Sequence, residues 1–165
     1  MQLDLIHNAN VYLNGTNSLI GHAAEVDLGQ LKPLMDEHEG LGMAGKLKLP
    51  TGGFEAMEVK FKWVTFNRII FNEAANPFDV SQLQIRANIM RHTSETTSME
   101  EPLVVIVSGR FEGAPLGSFA SHKKMESETV LHASSIKMTA GSDKLLEFDV
   151  LENICRVAGK DILAG

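Results

Sequence analysis

The chain has 165 residues, 44% hydrophobic and 22% charged, enough for one domain with its own core and too apolar for intrinsic disorder. Its formal net charge of -6 excludes a protein that tracks nucleic-acid phosphates through a basic patch, although an acidic surface can lie beside DNA without holding it. The single cysteine, Cys155, rules out an intrachain disulfide and reads as a small buried hydrophobe.

Met1 to His7 has no basic region and too short an apolar run for a secretory signal. No stretch approaches the ~18 apolar residues of a membrane helix. The chain is therefore expected to be made in a cytosol, with no membrane anchor.

In chain order, Asn10 to Leu13 predicts a short strand running into Asn14-Gly15, a two-residue hairpin signal, with Ser18 to Gly21 as the return. Ala24, Val26 and Leu28 alternate with Glu25 and Asp27, giving a second strand that stops near Pro33. Leu34 to Gly45 reads as a loop. Leu47 and Leu49 suit a short strand that Pro50-Thr51-Gly52-Gly53 breaks.

Phe54 to Trp63 has the cleanest pattern, with Met57, Val59, Phe61 and Trp63 on one face and Glu58, Lys60 and Lys62 on the other. A helix follows, capped by Thr65, with Phe66, Ile69, Ile70 and Ala74 at helical spacing until Asn76-Pro77 ends it. Leu83, Ile85, Ala87 and Ile89 alternate with Gln84, Arg86 and Asn88, which predicts another strand. His92 to Glu101 reads as a loop.

Leu103 to Val107 is apolar on both faces and suits a strand covered on both sides, with Gly109 marking a bulge or a close backbone approach. Gly113 to Lys124 reads as a mobile loop. Glu126 to Thr139 is a long strand, Ala140 to Asp143 a turn, and Lys144 to Leu151 a strand with Leu146, Phe148 and Val150 inward and Glu147 and Asp149 outward. A short strand, Ile154 to Val157, precedes Gly159. The rest of the chain is expected to pack against this C-terminal hairpin, in a mainly β sandwich or barrel with one helix.

Chemistry is hard to find in this pattern. Gly40-Leu-Gly42-Met-Ala-Gly45 matches the dinucleotide fingerprint G-x-G-x-x-G, but no buried parallel strand precedes it and no helix follows. The six histidines are scattered, and His92 with Glu95 suits two solvated loop residues better than a metal pair. Glu147 and Asp149 share a strand face, yet no positioned partner makes them a catalytic pair. No nucleophile elbow or P-loop is present. The reading is of a protein without catalytic residues, metal or cofactor.

Several segments in order resemble a known family: Asn10-Val-Tyr-Leu-Asn-Gly15, Glu39-Gly-Leu-Gly-Met43, Phe54-Glu-Ala-Met57, Gly109-Arg-Phe-Glu112 and Glu126-Ser-Glu128. The ending Leu146 to Ile154, then Arg156-Val-Ala-Gly159 and Asp161-Ile-Leu163, completes the set. Together they resemble the major tail tube protein of contractile-tailed, P2-like bacteriophages, which is related to the tube proteins of R-type pyocins. The loop Gly113 to Lys124 has no place in the family's pattern.

The resemblance implies hexameric rings stacked into a hollow tube, with strands joining across subunits into a β-barrel that lines the lumen. It implies a tube that penetrates the host envelope and conducts DNA, enclosed by a sheath protein. Its further partners would be a baseplate or tube initiator, a tail terminator, a tape measure protein and phage DNA. The implied location is the virion, after assembly in the host cytoplasm.

Within that frame, the lumen strands are expected at Ala24 to Leu31, Phe54 to Trp63, Leu103 to Glu112 and Glu126 to Thr139. Glu25, Asp27 and Glu128 are candidate lumen acids that let a polyanion slide, with an ordinary solvated outer face as the equal alternative. The segment Asp36 to Thr51, including Glu39, Gly40, Gly42, Met43, Lys46 and Lys48, is expected to reach the adjacent ring. Arg156 and Asp161 are candidates for intersubunit ion pairs, or else exposed charges of little energetic weight. A pyocin-like or type VI secretion tube without DNA, and a monomeric β-rich binding module, remain as alternatives.

Overall fold

The computed structural model describes residues 3–14, 17–18, 23–66, 68–93, 99–113, 120–122 and 126–163. The elements in order are β1 (Leu3–Leu13), β2 (Asn17–Ser18), β3 (Ala23–Asp27), β4 (Pro33–His38), β5 (Leu47–Phe54), β6 (Met57–Trp63) and the helix α1 (Arg68–Ala74). Then come β7 (Ser81–His92), β8 (Met99–Phe111), β9 (Ser127–Ala140), β10 (Asp143–Asp149), β11 (Ile154–Val157) and β12 (Lys160–Asp161). The fold is mainly β with one helix among the described residues. All the strand pairs among the described residues are antiparallel.

The ten-stranded sheet runs β12-β11-β10-β9-β8-β7-β1-β2, with β6 and β3 branching from β9. β9 makes the branch possible because it is long enough to change partners on one edge. Its other edge stays on β8, from Leu131 opposite Phe111 to Ala140 opposite Leu103. On the changing edge, Ser127 to Ala133 pair with β6, and Ser135 to Ala140 pair with β10.

Ser134 sits at the switch. Its hydroxyl donates to the Ser108 carbonyl at 3.2 Å, and its own carbonyl accepts the Val150 N–H at 2.9 Å. The β8–β9 register shifts between Ser108 and Gly109, so Gly109 marks a bulge and a close approach together. A Cβ there would collide with the His132 carbonyl oxygen and lie 2.8 Å from Ala133 Cα.

The inward face of β6, Met57, Val59, Phe61 and Trp63, is buried as its alternation predicts. Phe61 stacks on Trp63 with ring centroids 5.6 Å apart and tilts against Phe111 at 6.5 Å, while Phe54 meets Phe148 edge-on at 5.1 Å. Each large side chain so buried stabilises the fold by about 1.5–3 kcal/mol. Cys155 is fully buried and belongs to the same core as Leu13, Leu83, Val107 and Leu131. Burial, and secondarily the nearby Asp161 carboxylate, push its thiol pKa up.

Other expectations change. β1 begins at Leu3 rather than Asn10, because β7 continues to His92 and gives that extra length a partner. β8 likewise starts at Met99, so His92 to Glu101 is not one loop; residues 94–98, with Glu95, lie outside the described residues. Leu103 to Val107 is not covered on both sides: Val105 and Val107 are buried, Val104 and Ile106 only partly. β3 ends at Asp27, well before Pro33.

Phe54 closes β5, and Glu55-Ala56 separate it from β6. The helix starts at Arg68, three residues beyond Thr65, and buries Ile70 and Ala74 while Phe66 and Ile69 stay exposed. A single i,i+4 stripe is all that a two-turn helix can bury here. Ser81 Oγ, buried at the start of β7, donates to Glu73 Oε2 at 2.7 Å and ties the helix to the sheet. Val150 is exposed because β10 ends at Asp149. Of the expected return, Ser18 pairs with Tyr12 in β2, while residues 19–21 and much of Gly113 to Lys124 fall outside the described residues.

Candidate assembly surface

The largest correction concerns Leu34 to Gly53. It is neither a loop nor a broken strand but a two-stranded hairpin, β4–β5, that joins no other sheet among the described residues. Its register places Met35 opposite Pro50, Asp36 opposite Leu49, Glu37 opposite Lys48 and His38 opposite Leu47. Directly opposed residues share a face, so Leu47 and Leu49 lie together with Asp36 and His38. Leu34, Met35, Leu47 and Leu49 are all exposed. Proline and glycine are tolerated in β5 because each strand of an isolated hairpin has a free edge.

The tip explains the glycine motif. Met43 N–H donates to the Gly40 carbonyl at 3.2 Å, and Gly40 N–H reaches Met43 Sδ at 3.1 Å. Gly42 has φ of +84°, a left-handed backbone that suits glycine. Glu39, Gly40, Gly42 and Met43 thus build a turn, Lys46 precedes β5, and Lys48 stands within it. A strand, not a helix, follows the glycines, so no helix N-terminus is present to receive a pyrophosphate.

The four strands proposed for a lumen prove contiguous, in the order β3-β6-β9-β8. Their outward face is charged in cross-strand rows. Glu25 lies opposite Lys62, which lies opposite Glu128, and Asp27 lies opposite Lys60. Lys62 Nζ is 3.4 Å from Glu25 Oε2, with both side chains more than half exposed. His132 stands between two acids, its Nδ1 3.9 Å from Glu58 and its Nε2 3.7 Å from Glu112. Asp27 Oδ1 also accepts the Gly29 N–H at 2.9 Å, which turns the chain away after β3.

The sequence marked Glu25, Asp27 and Glu128 but not their lysine partners or His132, because those rows join residues far apart in the chain. The outer edge of β3 pairs with no strand among the described residues. At the other end of the fold, Arg156 Nη1 lies 3.5 Å from Glu147 Oε2 within the same chain and opposite Asp161 in register. Asp161 Oδ1 accepts the Leu163 N–H at 3.0 Å.

Comparison with known proteins gives a family. The family model described as phage tail tube protein FII matches residues 4–165. A search of curated proteins found no match. Among solved structures, the chain is similar to one from the cryo-EM structure of an extracellular contractile injection system, the PVC sheath-tube complex in its extended state. The identity is 15% and the TM-score 0.49, with 81% of this chain and 89% of that chain covered.

Proposed function

We propose, for a chain that belongs to the phage tail tube protein FII family, that it forms six-membered rings which stack into the inner tube of a contractile tail. The observation that supports this reading is the β3-β6-β9-β8 segment, apolar inside, charged outside and open at the β3 edge. An open edge invites aggregation unless it is paired, and closing six copies into a circle would pair every one. The charged faces would then line the lumen, and the hairpin β4–β5 would reach the adjacent ring.

The lumen face suits passage of DNA rather than binding. Lys60 and Lys62 are matched in register by Asp27, Glu25 and Glu128, so a phosphate must compete with carboxylates already in place. The sheath protein would surround the tube, with initiator and terminator proteins at its ends and a tape measure protein in the lumen before DNA passes. The subunit would thus be a component of the virion, assembled in the host cytoplasm.

The test replaces Glu25, Asp27 and Glu128 with lysine in assembled particles. DNA should be retained and infectivity should fall, more strongly at low salt. Unchanged ejection at every salt concentration would place these acids on another surface.

A further inference from the structure

Resting on the tube-subunit reading, we infer that the corner between α1 and β7, anchored by Phe78, docks in an apolar trough of the neighbouring copy in the same ring. The trough lies between β1 and β3 and has a volume of about 300 Å³. Its walls include Ala9 and Val11 of β1, Val26 of β3, Leu28, Val105 and Met138. Val11 and Val105 belong to the core, and Val26 packs against it, so the trough opens on the core side of the β3-β6-β9-β8 segment.

Closing a ring joins the β3 edge of one copy to the opposite edge of that segment in the next. The opposite edge is the end of β8. β7 stops with Ser81 opposite Gly109, while Arg110 and Phe111 continue along β9. Behind this end of β8 stands the helix: α1 contacts β8, buries Ile70 and Ala74 in the core and is tied to Ser81 through Glu73. Each copy therefore has an open trough behind one edge of the segment and a helix corner behind the other. Joining the edges sets corner against trough, on the same side of the barrel wall.

Phe78 is the group shaped for that trough. It lies three residues before Ser81 and is 83% exposed. Its turn is braced, because Asn76 Oδ1 accepts the Phe78 N–H at 3.2 Å and Asn76 Nδ2 donates to Asp79 Oδ2 at 2.7 Å. An aromatic ring presented on a braced turn has little backbone freedom left to lose on docking, the profile of an interface anchor. A cavity of about 150 Å³ takes benzene, so the trough has room for the Phe78 ring together with Val80, which is also exposed. Each copy offers one corner and one trough, and such a contact between unlike surfaces closes when the rotation between copies completes a circle.

The test is a cross-link. Cys155 is buried, so engineered cysteines react against a silent background. Tubes of the Ala9→Cys, Val80→Cys double variant, oxidised and run without reductant, should give covalent oligomers up to six copies and no larger. Each single variant should stop at a dimer. Tubes without these oligomers overturn the docking site. A ladder running past six overturns it too, since that places the contact between rings.

Phe78→Ala decides the matter if the cysteine pair blocks assembly. The free subunit should unfold at the wild-type denaturant midpoint, and tubes should need about tenfold more protein or beyond. Leu151→Ala, at a residue 82% exposed elsewhere, should assemble as wild type does. Phe78→Ala tubes at the wild-type concentration overturn the proposal. Wild-type protein that forms no tube at all would instead sink the tube-subunit reading itself.

Discussion

Trp63 donates its indole N–H to the Thr129 hydroxyl at 2.9 Å, across the β6–β9 pairing and inside the core. It is the one tryptophan of the chain, and both residues are almost wholly buried. Because water cannot replace the acceptor, the bond holds the first half of β9 to β6. The second half belongs to β10.

Thr129→Val keeps the shape and removes the acceptor, leaving a buried indole N–H unpaired. The free subunit should lose about 1–3 kcal/mol in denaturant unfolding followed by tryptophan fluorescence. Thr129→Ser, which keeps the hydroxyl, should lose less. Equal losses for the two would show that packing, not the hydrogen bond, governs the site.

Gly109→Ala places a methyl against the backbone of His132 and Ala133, where no flexible side chain can move aside. A loss of about 1–3 kcal/mol is expected, with weakened pairing at the β8–β9 bulge. Gly45→Ala is the control. A Cβ there meets nothing within 4 Å, and its unfolding midpoint should move little.

Cys155 should resist alkylation in the folded subunit and react fully once unfolded, because burial and Asp161 raise its thiol pKa. The sign of the pH dependence follows. Above the ordinary thiol range the unfolded chain loses this proton while the folded chain keeps it, so stability falls as pH rises toward the folded pKa. Below the unfolded pKa this contribution is fully present. Cys155→Ala should remove this alkaline component of a stability-pH curve, and an unaltered slope would assign it to other groups.

Lys62→Gln should leave the stability of the free subunit within about 0.5 kcal/mol, since its ion pair with Glu25 is exposed on both sides. In an assembled tube the same change removes the cation between Glu25 and Glu128 and should make the proposed lumen more repulsive to DNA. Faster release at low salt, with no change in folding, is the expected pair of results. A large stability loss in the free subunit would contradict the reading of this ion pair as an exposed surface contact.

Where burial imposes a period, the fold is legible in the sequence. Met57 to Trp63 must alternate because one side is core, and Leu83 to Ala87 follow the same rule. The hairpin β4–β5 escapes this reading for the same reason in reverse. With its leucines exposed, no core sets the pattern, while Pro50, Gly52 and Gly53 look like breakers. The partner change at Ser134 is equally hidden, since it depends on which strands arrive at β9, one from residues 57–63 and one from residues 143–149.

Of the candidate surface, Glu25, Asp27 and Glu128 could be picked out as acids on polar faces. Their rows with Lys60 and Lys62 appear only once β3, β6 and β9 lie side by side. Arg156 was visible as a charge near the end of the chain, but its Glu147 partner comes from the β10–β11 pairing.

The most direct test is electron microscopy of the purified, concentrated protein, alone and after mixing with baseplate-containing lysate. Hollow rods with six-fold end-on views are the expected result. Persistent monomers, even with the nucleating baseplate present, would contradict a tube subunit.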